Sequence, residues 1–473
     1  MASHQTNGYP LRTPKTGDKA IKDVNSSWFI RLSVKDEPGV LAAIASLFGE
    51  NNVSIESVIQ EGRGDNAELV LVTHEAVEED LSYEDFVKTV FIALDKNSAS
   101  YVDELSIYPG FENSPEPVLK EINKDKYLME LFHGPTKSFK DYALQPLGSI
   151  ADKRLEEIGE RGLVIVATSG DTGSAAIQAV KDSKNIDIVV LHPHNKVSEY
   201  QRRQMTEVIQ DNVLNIAIEG SYDDCQQIAK TLLQENAFNR RVVSLNSINW
   251  LRVMGQTAYY VWLTKQFTNP INISIPSGNF GNAYSAWFGR RNGLPINEIF
   301  CASNLNDVLT RFISSGTLEP KDTMPTVAPS MDIQIPSSLE RLIFDLEGDT
   351  SSFYEQLQNE KLATLNKDAA KKLQSIFSSK SFDDEMILKE IKEFYEDYEW
   401  IVDPHTATAV SESVSFTSNL PVVGIATASP EKFSNVISSV IPSFSVENTD
   451  NIEKYIVSDS DSSVVENTIK EYF

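Results

Sequence analysis

Three short stretches of this 473-residue chain combine the residue types that chemistry needs. In GLVIVATSGDTGSAAIQAV an apolar run leads into Ser169-Gly170-Asp171-Thr172-Gly173-Ser174, then into an apolar pattern of helical period. INISIPSGNFGNAYSAWFG repeats the design, with Ser277-Gly278-Asn279-Phe280-Gly281-Asn282 at the turn. Glycines between a strand and a helix let backbone approach an anion. The helix start adds unpaired N–H groups and the positive end of its dipole. Neither turn carries the Lys-Ser/Thr of a nucleotide-hydrolysing loop or the full G-x-G-x-x-G of a dinucleotide site. Each alone is equally an ordinary strand-to-helix turn. The third stretch, MELFHGPTKSFKDYALQPLG, turns at Gly134-Pro135 and places Lys140 and Asp141 at a helix start. A lysine at the positive end of a helix reaches its neutral form more easily, and Schiff-base chemistry requires a neutral amine. The plain alternative is a solvated surface lysine.

These stretches need elements to hold them. Strands are expected at 163–168, 186–191, 214–218, 271–275 and 422–426, alternating with amphipathic helices. That alternation predicts an α/β fold with parallel sheets over residues 128–473. Residues 351–400 are polar and read as helical, and 109–127 are Pro-rich and charged, a linker. Ahead of them, residues 28–108 read as a small βαββαβ unit. Its first strand alternates Ile30, Leu32 and Val34 with Arg31 and Ser33, and a turn at Asp36, Pro38 and Gly39 opens a helix from Val40. Residues 1–27 are polar and aperiodic, a disordered arm.

Composition narrows the class. Asp plus Glu number 68 against 42 Lys plus Arg, a net charge of −26, which repels nucleic-acid backbones and anionic lipid surfaces. The two cysteines, Cys225 and Cys301, are far apart, so neither a disulfide framework nor a cysteine metal site organises the chain, and no metal is expected. No apolar run approaches the roughly 18 residues of a membrane span. A soluble, reduced, cytoplasmic protein is expected.

Longer strings add a resemblance. ELFHGPT with SFKD, ATSGDTGSA, NSINW with Arg252, IPSGNFG and DPHTA occur in the order found in threonine synthases, which use pyridoxal 5′-phosphate on the fold-type-II scaffold. The likeness spans about residues 108–445. It implies that Lys140 carries the cofactor and then shuttles protons, and that Gly278, Asn279, Phe280, Gly281 and Asn282 cradle the cofactor phosphate. It also implies that Thr427 meets the pyridine nitrogen, while Ser169, Gly170, Asp171 and Thr172 hold the substrate carboxylate. Phe139 is read as either cofactor contact or core. The implied reaction is O-phospho-L-homoserine plus water to L-threonine plus phosphate. For the substrate phosphate the candidates are Lys196, an ammonium point charge, and Arg252, a planar fork.

Residues 28–108 resemble an ACT domain, especially that of homoserine dehydrogenases, through DEPGVL and the following NVSI. The resemblance implies an amino-acid effector site at Asp36, Gly39, Val40, Asn52 and Ile55. The alternative is a spacer that pairs subunits into a homo-oligomer. The unit stands where threonine synthases usually carry a segment with a D-G-G-L-type string. Asn282 replaces a common acidic residue, and Ser429 replaces a common histidine. Rival readings are a serine/threonine dehydratase, a phospho-lyase that stops after phosphate loss, and a non-catalytic amino-acid-binding regulator. SFKDYAL departs from the S-F-K-x-R-G-A string of dehydratases, and a retained Lys140 argues against a decayed enzyme.

Overall fold

A computed structural model describes residues 29–34, 55–61, 67–73, 83–85, 87, 88 and 106–473, apart from 235–237, 239, 248, 412, 413 and 447–450. The chain divides into two units, Met1–Ser82 and Tyr83–Phe473. In the first, the strands Phe29–Val34, Ala67–Thr73 and Ile55–Glu61 form an antiparallel sheet with Ala67–Thr73 in the middle. The register sets Ile30 opposite Leu71 and Leu32 opposite Leu69, matching apolar residues across the pair. Asp36, Gly39, Val40 and Asn52, with the expected helix from Val40, lie outside the described residues. Ile55 opens its strand opposite Thr73.

Residues 83–85, 87, 88 and 106–108, read from the sequence as part of the small unit, cluster with the second one. Tyr83, Val87, Ile107 and Tyr108 are buried there. The Ile107 N–H donates to Glu84 Oε1 at 2.9 Å, and the Tyr108 hydroxyl donates to the carbonyl of Tyr142 at 3.0 Å.

The second unit is built on two sheets. One runs Phe377–Ser381, Ile296–Ser303, Ile271–Pro276, Val422–Ala426, Lys126–Glu130, Val118–Asn123, parallel except for the last pair. The other runs Ile456–Ser458, Val213–Ile218, Ile186–Pro193, Gly162–Ala167, Arg241–Val242, all parallel. The central strands INISIP and VLNIAI are buried along their whole length, as parallel strands covered on both faces must be. Phe377–Ser381, with sequence FSSKS, is a strand inside a stretch read as helical. It pairs with Ile296–Ser303 at the sheet edge, where half-buried serines suffice. Its neighbours Ser351–Glu360, Lys367–Gln374 and Asp384–Tyr398 are helices, as expected.

Three helices meet behind the lysine stretch. Asp141–Ile158 starts directly after Lys140 and packs on Asp171–Val180 and on Trp250–Lys265. Glycine makes both approaches close. A Cβ on Gly148 would collide with the Ala179 carbonyl, and one on Gly255 would lie 3.1 Å from Cα of Ala143.

Candidate active site

The ends of strands Gly162–Ala167 and Ile271–Pro276, one from each large sheet, open onto one cavity of 1210 Å³. Lys140, Ser169, Asp171, Thr172, Arg252, residues 277–282 and Thr427 all line it. Two anion cradles and a lysine, separated by up to 142 positions in sequence, therefore share one space.

Lys140 is placed by a chain of short-range bonds. Residues 137–139 run antiparallel beside 427–429: Phe139 N–H donates to the Thr427 carbonyl at 2.9 Å, and Ser429 N–H to the Lys137 carbonyl at 3.0 Å. Asp141, buried, accepts from the Thr136 N–H at 2.8 Å and from its hydroxyl at 2.7 Å, which ties the Gly134-Pro135 turn to the helix start. Burial lifts the Asp141 carboxyl to about 6, and the Thr136 bonds only partly offset it. The Lys140 ammonium donates to Asp171 Oδ2 at 3.1 Å and lies 4.7 Å from the Phe139 ring centre. Burial, with the charges of Arg252 and Lys432, depresses its pKa against the pull of Asp171. The lysine is poised towards the neutral amine.

Asp171 is itself an ion-pair centre. Its Oδ1 accepts from Gln201 Nε2 at 2.7 Å and sits 3.0 Å from Lys432 Nζ. Burial alone would raise this carboxyl, but Lys140 and Lys432 hold it far below the usual carboxylate range. A permanent carboxylate cannot receive a substrate carboxylate. Ser169 and Thr172, on either side of Asp171 in sequence, line the same cavity. Gly170 lies under the Gln201 side chain, where a Cβ would fall 2.6 Å from Cδ, and it adopts φ +138°, so only glycine fits.

At the second cradle, Phe280 takes the left-handed conformation at φ 65° to aim the start of helix Gly281–Arg291 at the cavity. Its ring packs into the core on Phe377. A Cβ on Gly278 would lie 2.5 Å from the Ser330 carbonyl oxygen. Asn279 instead binds the wall, accepting from the Ser337 N–H at 3.3 Å. Both Tyr259 and Tyr260 hydroxyls donate to Asn282 Oδ1, at 2.5 and 2.7 Å. Among the described residues, Asn282 Nδ2 and the Ser277 hydroxyl are buried without partners. Two orphaned donors, open glycine backbone and a helix start are what a buried phosphate dianion needs.

Other groups complete the walls. His405 accepts the Ser330 N–H at its Nε2, 3.2 Å away, so its proton sits on Nδ1, donated to Asp403 at 2.8 Å. Arg252 is 5 % exposed, its recorded bond goes to the Leu245 carbonyl at 3.2 Å, and among the described residues no carboxylate pairs with it. Burial drops its guanidinium to about 10. Lys196 does not line the cavity; its Nζ donates to the Gly220 carbonyl at 3.0 Å on the surface. Lys432, which follows Ser429-Pro430-Glu431, was not singled out from the sequence.

Comparison with known proteins agrees with this geometry. Residues 115–413 match the pyridoxal-phosphate dependent enzyme family, and 28–82 match the ACT domain. The threonine synthase of Pseudomonas aeruginosa is 40% identical over 342 residues, covering 70% of this chain and 73% of that protein. The chain belongs to the threonine synthase family. The threonine synthase of Saccharomyces cerevisiae is 33% identical over 370 residues, 70% of this chain and 72% of that one. The solved pyridoxal-phosphate-bound threonine synthase of Brucella melitensis superposes with TM-score 0.74 at 31% identity, covering 83% of this chain and 89% of that one. As in other members of the threonine synthase family, the cofactor is pyridoxal 5′-phosphate. The residues fit it: the orphaned donors, glycine backbone and helix start of 277–282 suit its phosphate, and Lys140 and Thr427 line the same cavity.

Proposed function

We propose that this chain converts O-phospho-L-homoserine and water to L-threonine and phosphate. The observation that carries it is Arg252: a buried guanidinium lining the lysine cavity, without a carboxylate partner among the described residues, suits an anionic ligand beyond the cofactor phosphate. The substrate phosphate supplies that anion, and a planar fork suits it. Bound cofactor supplies the electron sink that makes protons on Cα and then Cβ acidic. The chain's own work is positioning and proton transfer. Ser169, Thr172 and the start of helix Asp171–Val180 hold the substrate carboxylate, which fixes Cα before Lys140. Lys140 Nζ takes the departing protons, and its low proton affinity lets it give them back. The γ C–O bond then breaks, phosphate leaves against Arg252, and water adds its hydroxyl at Cβ while the former γ carbon ends as a methyl group.

The test is the product mixture from the full-length holoenzyme. Threonine and phosphate in equal amounts are expected, with Lys140→Ala losing both the cofactor's visible absorption and turnover. Arg252→Met should raise KM for the phosphorylated substrate about tenfold or more. Phosphate released with 2-oxobutanoate in place of threonine rejects the reading in favour of a phospho-lyase. An amino-acid effector at residues 28–82, supported by the ACT match, is a further part of this proposal, as is subunit pairing through that unit.

A further inference from the structure

Lys432 is a fully buried lysine, with 1 % of its surface exposed, in the short helix Pro430–Phe433. Three acceptors surround its Nζ: the Thr136 carbonyl at 2.7 Å, Gln204 Oε1 at 2.8 Å and Asp171 Oδ1 at 3.0 Å. Its backbone carbonyl accepts from the Ser198 hydroxyl at 3.2 Å, so the residue is held at both ends. Asp171 thus bridges two lysines, one that changes charge during turnover and one facing three oxygens. A buried carboxylate deprived of its partner is strongly unfavourable. Without Lys432, each loss of positive charge at Lys140 would leave Asp171 in that state.

We propose that Lys432 is a positioning residue, a standing counter-ion that neutralises part of the Asp171 charge beside Lys140 Nζ whether that nitrogen is charged or neutral. It does not line the cavity, whereas Asp171 does, and it acts through Asp171. The inference deepens the cofactor reading of Lys140 and rests on it. The other charged or titratable groups facing this trio are Arg252 beside Lys140, His405 beside Asp171 and Asp141 beside Lys432.

The experiment is a pH titration of the visible absorption of the full-length holoenzyme, which reads protonation at the Lys140 nitrogen. Lys432→Met keeps the stem and removes the charge, so the full field of Asp171 falls on that nitrogen. Its midpoint should rise by about one pH unit or more, a tenfold gain in proton affinity. The double variant Lys432→Met/Asp171→Asn should return it to the wild-type value or below. An unmoved midpoint in Lys432→Met overturns the proposal. Thermal melting provides the second readout. The double variant should melt above Lys432→Met, because it removes the orphaned carboxylate. If Lys432→Met fails to fold, the double variant should still fold; if it too fails, or melts no higher, Lys432 serves the Thr136 and Gln204 contacts and the proposal falls. A wild-type chain without a visible band fails the cofactor reading, and melting still decides this one.

Discussion

Asp141 shows how one residue beside the reacting lysine sets a stability cost. Its carboxyl is buried and bonded twice to Thr136, yet it is lifted from 3.8 to about 6. A folded-state pKa above the unfolded one means the native state holds the proton more tightly. The stabilisation is therefore complete below about pH 4 and is lost as pH rises through 6. The full span is about 3 kcal/mol, of which about half falls between pH 5 and 8. Asp141→Asn does not titrate. Its stability relative to wild type, measured by urea denaturation, should improve by about 1.5 kcal/mol between those two pH values. A gap independent of pH would mean that the Asp141 carboxyl is not raised. The residues legible from the sequence were those in the matched strings: Lys140 and 277–281 line one cavity, together with Asn282 and Thr427, which the resemblance named. Lys196 looked equivalent to Arg252 by charge, but its Nζ is used on the Gly220 carbonyl. Lys432 was illegible because its value lies in Thr136, Gln204 and Asp171, which are distant in sequence.

At the scale of elements, the ion pair between Lys140 and Asp171 is a consequence of how two helices pack. Each residue sits at a helix start, and the helices Asp141–Ile158 and Asp171–Val180 cross where Gly148 meets the Ala179 carbonyl. A methyl group there has no space, and the obstacle is backbone, which cannot rotate away. Gly148→Ala should push the helices apart, cost about 1–3 kcal/mol and lengthen the contact between Lys140 and Asp171. The expected readout is a lower Tm together with a downward shift in the pH midpoint of the visible band, since Lys140 loses part of its carboxylate. Unchanged Tm would show that the helices accommodate the methyl group. The core strands were legible because uninterrupted apolar runs such as INISIP and VLNIAI mark strands buried on both faces. Phe377–Ser381 was not, because at the sheet edge FSSKS needs only one buried residue, Phe377, and carries no period of its own.

For the whole molecule, the open question is where the catalytic unit begins. The sequence places the joint at the Pro-rich stretch 109–127, whereas the contacts divide the chain after Ser82. The physical reason lies behind the lysine helix. Tyr142, two residues past Lys140, is wholly buried, and the rings of Tyr83, Tyr108 and Phe111 pack on it with centroids 5.2–6.4 Å away. Tyr108 also caps the Tyr142 carbonyl. Tyr83, Tyr108 and Phe111 therefore act as a wall of the catalytic unit, although Tyr83 follows closely on the ACT-like strands in sequence. A fragment of residues 83–473 should fold, bind pyridoxal 5′-phosphate and keep its visible band. A fragment of 109–473 removes Tyr83, Val87, Ile107 and Tyr108, exposing the Tyr142 ring and the first turn of the lysine helix. Burying side chains of that size contributes about 1.5–3 kcal/mol each, more than a domain's margin when several go together. The shorter fragment should be insoluble or should melt well below the longer one, with cofactor binding weakened. Equal Tm and equal cofactor affinity in the two fragments would restore the boundary to residue 109 and leave the tyrosine cluster as part of the effector unit.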